Sequence, residues 1–209
     1  MAKSKSADSF NRPKAKKEPA KRYLIVCEGS KTEPNYFKEM RHALRLRTTN
    51  IEICGEECGS DPVSVYNYAA KVYDDEVAVR YDAVYCVIDR DSHKNLNRAL
   101  KLIEARGDKF NAVLSDPCFE VWLLLHHVPY NKSFIATPRK SAGDLVLSLL
   151  KKHDRIYAKG SSGTWNRYSG MLSTAIENSK ALYKSAERSG NFNPSTRVHE
   201  LVEQMLASK

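Results

Sequence analysis

The chain has 209 residues, of which 42% are hydrophobic and 28% are charged, and its formal net charge is +9 at pH 7. This composition suits one globular domain with an appendage, and it excludes a fibrous, collagen-like or wholly disordered protein. No apolar run approaches the roughly 20 residues that cross a bilayer, so no membrane association is expected. The positive charge points instead to a polyanionic partner such as nucleic acid.

Most of the positive charge lies at the N-terminus. Residues 1–22 carry eight basic and two acidic side chains, a net charge of +6, which leaves +3 for the rest of the chain. Residues 1–20 also lack aliphatic periodicity, so they are predicted to form a disordered basic arm. The arm is either an electrostatic tether for nucleic acid or a solubilising or vector-derived leader.

The cysteine content indicates a reduced, cytoplasmic protein. The chain has five cysteines, an odd number, and no apolar segment typical of a secretory signal. Cys54 and Cys58 form a single pair with no second pair at metal-binding spacing, so two incidental thiols are favoured over a zinc site.

Strands and helices are predicted to alternate from Lys21 to about residue 128. Strands are predicted at residues 23–27, 51–54, 83–88 and 110–114, and the first of them is a continuous apolar run typical of a strand covered on both faces. Helices are predicted after each strand, starting at Glu33-Pro34, at Asp61-Pro62, before Leu96 and at Pro117. This alternation indicates βαβ crossovers, and hence an α/β fold with a four-stranded parallel sheet flanked by helices.

The C-terminal third is predicted to be helical, with no strand after residue 128. Residues 141–152 and 171–188 have helical patterns, and Asn193-Pro194 is predicted to cap an amphipathic final helix. The predicted organisation is therefore a basic arm over residues 1–20, an α/β core over 21–128 and a helical extension packed on the core over 129–209.

Acidic side chains directly follow two of the predicted strands. Glu28 comes after the first strand, and Asp89-Arg90-Asp91 comes after the third. In an open parallel sheet, ligands bind beyond the carboxyl ends of the strands, where the strand order reverses. If the order is 2-1-3-4, that position lies between strands 1 and 3, and Glu28, Asp89 and Asp91 are expected to converge there.

Three carboxylates in one crevice repel one another unless protons or cations lie between them. Their hard oxygen ligands suit Mg²⁺ or Mn²⁺. Such a site can orient a nucleophile and neutralise charge on a phosphate, with Glu28 positioning or deprotonating the attacking group. Taken singly, Glu28 is also typical of a loop, and Asp89-x-Asp91 of a capping turn, but their shared position at strand ends favours a functional site.

These motifs resemble a Toprim domain, the metal-dependent fold of topoisomerases, primases and overcoming-lysogenization-defect nucleases. More closely, the chain resembles the RloB-like (abortive-infection AbiLii) family from about Lys21 to the C-terminus. The segments that carry this resemblance are VCEGSKTEPNYF at 26–37, IDRD at 88–91, DPCFEVWLLLH at 116–126 and NPST at 193–196.

The resemblance implies a Toprim/Rossmann-like fold and a mobile prokaryotic defence protein, often encoded beside an AAA/ABC-type ATPase. Toprim relatives imply Glu28 as general acid/base and Asp89 with Asp91 as magnesium ligands. The leading expectation is thus a Mg²⁺-dependent nuclease that cleaves DNA or RNA in anti-phage defence. The chain departs from larger Toprim nucleases in showing no further acidic motif that assembles an unambiguous second metal site.

Four further residues near these motifs are weaker candidates for substrate binding. Lys31 could contact a phosphate, although a solvated lysine is an equal alternative. Glu33 could act with Glu28 or serve only the helix dipole, and His93 could reach the crevice or be structural. Glu120 lies in a helix that is apolar on every face, so its carboxylate must be paired, hydrogen-bonded or functional.

A loop in the C-terminal third supplies three more candidates. Lys159, Trp165 and Arg167 interleave cations and an aromatic ring among glycines, a pattern that can bind phosphates and stack bases. An ordinary long surface loop anchored by Trp165 is the alternative, although loops of this length are often functional.

Three other functions fit parts of the pattern. An aspartate-nucleophile phosphatase would use Asp89, but the sequence lacks the later acidic motif of that class. A sugar-nucleotide transferase would leave Glu28 unexplained. A non-catalytic module could bind nucleic acid or dock an ATPase, and because the chain has no P-loop, any ATP hydrolysis must come from a partner.

Overall fold

The computed structural model describes residues 21–47, 51–57, 59, 61–75, 80–90 and 94–209. Its centre is a sheet with the strand order β2-β1-β3-β4-β5. These strands are β1 (Tyr23–Cys27), β2 (Ile51–Cys54), β3 (Ala83–Asp89), β4 (Phe110–Asp116) and β5 (Ser195–Thr196). The first four strands pair in parallel, which confirms the α/β class, and their order 2-1-3-4 is the one under which Glu28 and Asp89 were expected to converge.

The prediction of a four-stranded sheet without a strand after residue 128 is wrong by one strand. β5 has only two residues and pairs antiparallel with the end of β4. The Ser115 and Thr196 hydroxyl oxygens lie 2.9 Å apart, and the Arg197 amide donates to the Leu114 carbonyl at 3.0 Å. A strand of two polar residues carries no apolar run, so the sequence pattern does not reveal it.

Eight helices surround this sheet in the described part of the chain. They are α1 (Thr32–Ala43), α2 (Pro62–Asp75), α3 (Leu96–Ala105), α4 (Glu120–Leu124), α5 (Ala142–His153), α6 (Thr164–Tyr168), α7 (Leu172–Ser189) and α8 (Val198–Ala207). None of the helices among the described residues has the length and apolar composition needed to cross a bilayer.

Two helix starts differ from the prediction. α4 begins at Glu120 and not at Pro117, because the preceding turn closes with a tighter hydrogen bond from the Val121 amide to the Cys118 carbonyl, 3.1 Å long. α8 begins at Val198, because the residues after Asn193-Pro194 first pair with β4 as β5. The segment predicted as a long loop also contains the short helix α6.

Apolar layers cover both faces of the sheet, as the continuous apolar run of β1 predicts. Ile25 belongs to the layer that includes Trp122 and Leu201, so the C-terminal helix α8 packs on the same face as α4. Leu24 belongs to the opposite layer, with Val65 of α2 and residues of α3. Burial on both faces leaves the carboxyl ends of the strands as the edge where polar side chains can gather.

Candidate active site

The ends of β1 and β3 bring Glu28 and Asp89 together. Cys27 and Val87 are register partners, and the Glu28 amide extends this ladder by donating to the Val87 carbonyl at 2.9 Å. The Asp89 amide donates to Oε2 of Glu28 at 3.0 Å. These carboxylates therefore meet beside the position where the strand order reverses, the common ligand site of open α/β sheets.

Two further carboxylates come from helix starts. Glu33 lies in the first turn of α1 and is 5% exposed, and Glu120 is the first residue of α4 and is 2% exposed. Both interact electrostatically with Asp89, and Glu33 also interacts with Glu28. We refer to Glu28, Glu33, Asp89 and Glu120 as the carboxylate cluster. Glu120 reaches this cluster because β4 lies next to β3.

Burial and mutual repulsion shift the proton affinities in the carboxylate cluster. Burial, reinforced by the charges of Glu120 and Glu28, raises the pKa of Glu33 to about 7. Burial and the charges of Glu33, Glu120 and Glu28 raise the pKa of Asp89 well above its usual value. The cluster therefore carries excess negative charge that only a proton or a cation can neutralise.

Gly29 makes room for one member of the carboxylate cluster. A Cβ atom added to Gly29 would overlap the carboxylate of Glu33. The absence of a side chain at this position lets the Glu33 carboxylate fold back against the loop that follows β1. This close approach gives Gly29 a physical role beside Glu28 in the same motif.

A loop between α5 and α6 supplies a cation to the carboxylate cluster. Lys159 Nζ lies 3.7 Å from Oε1 of Glu120, and the Tyr157 hydroxyl donates to the same oxygen at 3.2 Å. Burial lowers the pKa of Lys159, but the surrounding acidic groups, Glu120 foremost, outweigh it and raise the pKa overall. Lys159 therefore stays charged and neutralises part of the cluster.

The same loop is held against α1 by hydrogen bonds. The Gly160 amide donates to Oγ1 of Thr32 at 2.9 Å, and Nδ2 of Asn35 donates to the Gly160 carbonyl at 3.3 Å. Oε1 of Glu39 accepts the Gly163 amide at 2.5 Å, and its Oε2 accepts the Trp165 amide at 2.9 Å. Gly160 has φ +77°, a backbone conformation that favours glycine.

These elements enclose an open cavity of about 630 Å³ at the carboxyl edge of the sheet. Glu28, Glu33 and Asp89 line it from the sheet and α1, whereas Lys31 and Lys159 line it from the two loops. The cavity thus combines acidic groups at its base with two lysines at its rim. This combination suits a phosphate group held between bound cations and lysine ammonium groups.

Four predicted site residues are not placed at the cavity by the described part of the structure. Asp91 and His93 lie outside the described residues. Trp165 is 4% exposed, and its ring packs edge-on against Tyr36 with a centroid distance of 5.5 Å. Arg167 Nη2 lies 3.6 Å from Oδ2 of Asp154. Neither Trp165 nor Arg167 is among the residues that line the cavity.

Thr32, Tyr157 and Cys118, which were not among the predicted site residues, also shape the site. Thr32 holds the Gly160 amide, Tyr157 holds Glu120, and burial together with Glu120 and Asp89 raises the pKa of the Cys118 thiol. Thr32 and Cys118 lie within the two distinctive motifs at 26–37 and 116–126. Membership of these motifs is the sequence feature that could have identified them.

The donor set of the cavity fits a hard divalent cation in its chemistry. Carboxylate oxygens are the ligands that Mg²⁺ and Mn²⁺ prefer. Glu33 and Asp89 are buried close to other acidic side chains, and both effects raise their pKa values. Across the described ranges, no three His, Cys, Asp or Glu side chains already form a metal-ligating group, and Asp91 lies outside those ranges. Glu28 and Asp89 are the candidate ligands.

Comparison with known proteins gives one match. No curated protein and no solved structure has significant similarity to the chain. The family model described as RloB-like protein matches residues 23–205, which include every described member of the carboxylate cluster and both loops that hold the cavity lysines. The chain therefore belongs to the RloB-like protein family.

Proposed function

We propose that the chain is a Mg²⁺- or Mn²⁺-dependent nuclease that hydrolyses phosphodiester bonds of DNA or RNA. The observation that carries the proposal is the hydrogen bond from the Asp89 amide to Glu28, which lies within a cluster of four carboxylates at the strand-order reversal. Crowded carboxylates at this position suit divalent cations and phosphoryl chemistry.

Glu28 and Asp89 have roles that follow from their positions in the cavity, and Asp91 joins them on the family resemblance alone. Asp89 and Glu28 would hold the cation, together with Asp91, and a bound Mg²⁺ or Mn²⁺ would neutralise charge on the phosphate and lower the pKa of water. Glu28 is also placed to take a proton from the attacking water. The carboxylate of Glu28 lines the cavity, and the hydrogen bond from the Asp89 amide orients it there.

The two cavity lysines would orient the phosphate. Lys31 lies three residues after Glu28, and Lys159 faces Glu120 from the opposite loop. An ammonium group in this position donates to non-bridging phosphate oxygens and opposes the charge that grows there during hydrolysis. Tyr157 and the anchored Gly160 fix the backbone on both sides of Lys159, so this contact needs little reordering.

Family membership motivates the biological part of the proposal. We infer a role in anti-phage defence, with an AAA/ABC-type ATPase as partner, from the family resemblance alone. The basic arm over residues 1–20 would add electrostatic attraction to nucleic acid outside the cavity. We infer a cytoplasmic location from the odd number of cysteines in the sequence.

A second candidate is a non-catalytic nucleic-acid-binding or ATPase-docking module. The ion pair of Lys159 with Glu120 favours it, because Lys159 already supplies one positive charge to the carboxylate cluster. An aspartate-nucleophile phosphatase is disfavoured, because the sequence lacks the later acidic motif of that class.

A cleavage assay tests the nuclease. The full chain, with and without its candidate ATPase partner, is incubated with plasmid, single-stranded DNA and total RNA in Mg²⁺ or Mn²⁺. We expect cleavage that falls by about 100-fold or more in Glu28→Gln and Asp89→Asn. Asp74→Asn is the matched control, because it removes an exposed carboxylate that pairs with Arg106, the residue directly after α3.

The possible results separate the candidates. Equal cleavage by the wild type, Glu28→Gln and Asp89→Asn indicates a contaminant and rejects the site. Intact binding without cleavage, with the partner present, favours the non-catalytic module.

A further inference from the structure

The segment 151–160, which ends α5 and leads to Lys159, has an unusual charge pattern. It reads KKHDRIYAKG and contains four Lys or Arg residues and one acid. Lys151, Lys152 and Arg155 are exposed, and within the described part of the chain no acidic side chain pairs with them. Their positive charge is therefore available to a partner.

The only acid of this segment is turned into the protein. Oδ2 of Asp154 accepts the Tyr168 hydroxyl at 2.9 Å and lies 3.6 Å from Nη2 of Arg167. Its side chain is 11% exposed, so it screens little of the outward charge. The carboxylate of Asp154 is therefore largely buried, whereas the three cations next to it in the sequence are exposed to solvent.

An exposed aliphatic side chain follows these three cations and precedes Lys159 in the chain. Ile156 is 74% exposed, although the next residue, Tyr157, is 2% exposed and hydrogen-bonded to Glu120. The Ile156 amide donates to Oδ1 of Asp154 at 3.2 Å, and Gly160 is held by Thr32. The backbone on both sides of Ile156 is thus fixed, and a ligand that packs on Ile156 would not have to order it.

The location of the segment favours one class of ligand. The carboxylate cluster repels a polyanion, so the attraction that brings a nucleic acid to the cavity must come from its rim. Segment 151–160 adjoins that rim through Lys159 and Gly160, both of which line the cavity. Cations that hold the backbone, with an apolar side chain among them that packs on a base, are a recurring arrangement in nucleic-acid binding.

We propose that segment 151–160 is the surface on which a nucleic-acid strand lies as it enters the cavity. Lys151, Lys152 and Arg155 contact its phosphates, and Ile156 packs against an unstacked base beside the phosphodiester that Lys159 faces. This inference rests on the proposed function and specifies how the substrate is held. The substrate is bound as a strand in which a base near the cavity is unstacked from its neighbours.

Binding of a fluorescently labelled single strand to the full chain in EDTA tests the surface without cleavage. Arg155→Gln should weaken binding. It should also reduce the magnitude of the slope of log affinity against log salt concentration by about 0.7, because each phosphate contact with a single strand contributes about that much to the slope. Ile156→Ala should weaken binding about fivefold to tenfold with an unchanged slope. The basic arm contributes equally to all variants and cancels in the comparison.

The chain offers a matched control for each substitution. Ile135 has the same 74% exposure as Ile156 and does not line the cavity, so Ile135→Ala should bind like the wild type. Arg188 is an exposed cation at the end of α7, and Arg188→Gln should also leave binding unchanged. A strand that contains 2-aminopurine should gain fluorescence with the wild type and gain less with Ile156→Ala.

The outcomes distinguish this surface from the nuclease itself. If the wild type binds the strand and both Arg155→Gln and Ile156→Ala bind equally well, the surface is wrong, whatever the cleavage assay shows. If the wild type binds no strand, the surface is also wrong. If binding depends on both residues but no cleavage occurs with metal and partner, the surface stands and the nuclease is rejected.

Discussion

The backbone amide of Asp89 donates a hydrogen bond to Oε2 of Glu28 with an N–O distance of 3.0 Å. Because the two residues end neighbouring parallel strands, this bond fixes the Glu28 carboxylate beside that of Asp89 at the edge of the sheet. The two carboxylates are therefore held close together, and Glu33 and Glu120 crowd them further.

Gly29→Ala should displace Glu33 and weaken the cation site without unfolding the protein. The new Cβ would overlap the end of the Glu33 side chain, which can rotate away. We expect an unchanged unfolding midpoint in urea and a loss of Mn²⁺ affinity of about tenfold. The measurement is calorimetric titration with Mn²⁺.

Gly143→Ala provides the control for Gly29→Ala. Gly143 lies in the first turn of α5, and an added Cβ would meet its nearest atoms at ordinary distances of 3.7 Å or more. This variant should bind Mn²⁺ like the wild type and gain up to about 1 kcal/mol of helix stability. Full Mn²⁺ affinity in Gly29→Ala would show that Glu33 does not contribute to the site.

Glu39→Gln should loosen the loop that carries Lys159. One carboxylate of Glu39 accepts two backbone amides, from Gly163 and Trp165, whereas an amide side chain has only one accepting oxygen. We expect a loss of about 1–3 kcal/mol in the free energy of unfolding and faster hydrogen exchange at those two amides. Glu104→Gln, at an exposed position of α3, is the control and should change neither quantity.

Unchanged exchange at Gly163 and Trp165 in Glu39→Gln would contradict this role for Glu39.

The sequence was sufficient to place Glu28 and Asp89. Both follow continuous apolar runs, and such runs mark strands that are buried on two faces and end at a common edge. Alternation with helices then indicates parallel pairing. The adjacency of β1 and β3, which brings the two residues together, is set by the strand order of the folded sheet and not by a local pattern.

The rest of the site depends on contacts that are distant in sequence. Glu120 and Lys159 meet only because α4 and the loop after α5 pack around α1, and no local pattern encodes that arrangement. Trp165 illustrates the opposite case: its setting among glycines is equally typical of an exposed stacking residue, but Tyr36 buries it. β5 escaped prediction because two polar residues pair with β4 through the tertiary fold.

His126 should make the protein sensitive to acid. Burial lowers its pKa to about 4, and its Nδ1 lies 3.0 Å from the Trp122 carbonyl. In the unfolded chain this histidine is protonated below about pH 6.5, whereas in the folded chain it stays neutral until about pH 4. The free energy of unfolding therefore falls as the pH drops from about 6.5 towards about 4. From about pH 7.5 to about pH 5 this histidine should cost about 2 kcal/mol of unfolding free energy.

His126→Gln isolates this contribution. Its amide can still donate to the Trp122 carbonyl but does not titrate. Urea unfolding at the two pH values should show about 2 kcal/mol less acid destabilisation in the variant than in the wild type. The same loss in both proteins would mean that His126 is not the sensitive group.

Deletion of residues 1–20 should weaken nucleic-acid binding in a salt-dependent way and leave metal binding intact. The deletion removes six Lys or Arg residues, and each phosphate contact that is lost reduces the salt dependence of binding. Replacement of the six cations by Gln in the full-length chain should have the same effect. Equal binding by the deleted and full-length chains at low salt would identify the arm as a leader without a tethering role.

The most direct test of the account is a titration of the metal-free chain with Mn²⁺, followed by calorimetry and by electron paramagnetic resonance of the bound ion. The wild type should bind Mn²⁺, Asp74→Asn should bind it equally, and Asp89→Asn should lose at least about tenfold in affinity. A wild type that binds no Mn²⁺, or an Asp89→Asn variant that binds as tightly as the wild type, would contradict the central claim that the carboxylate cluster is a divalent-cation site.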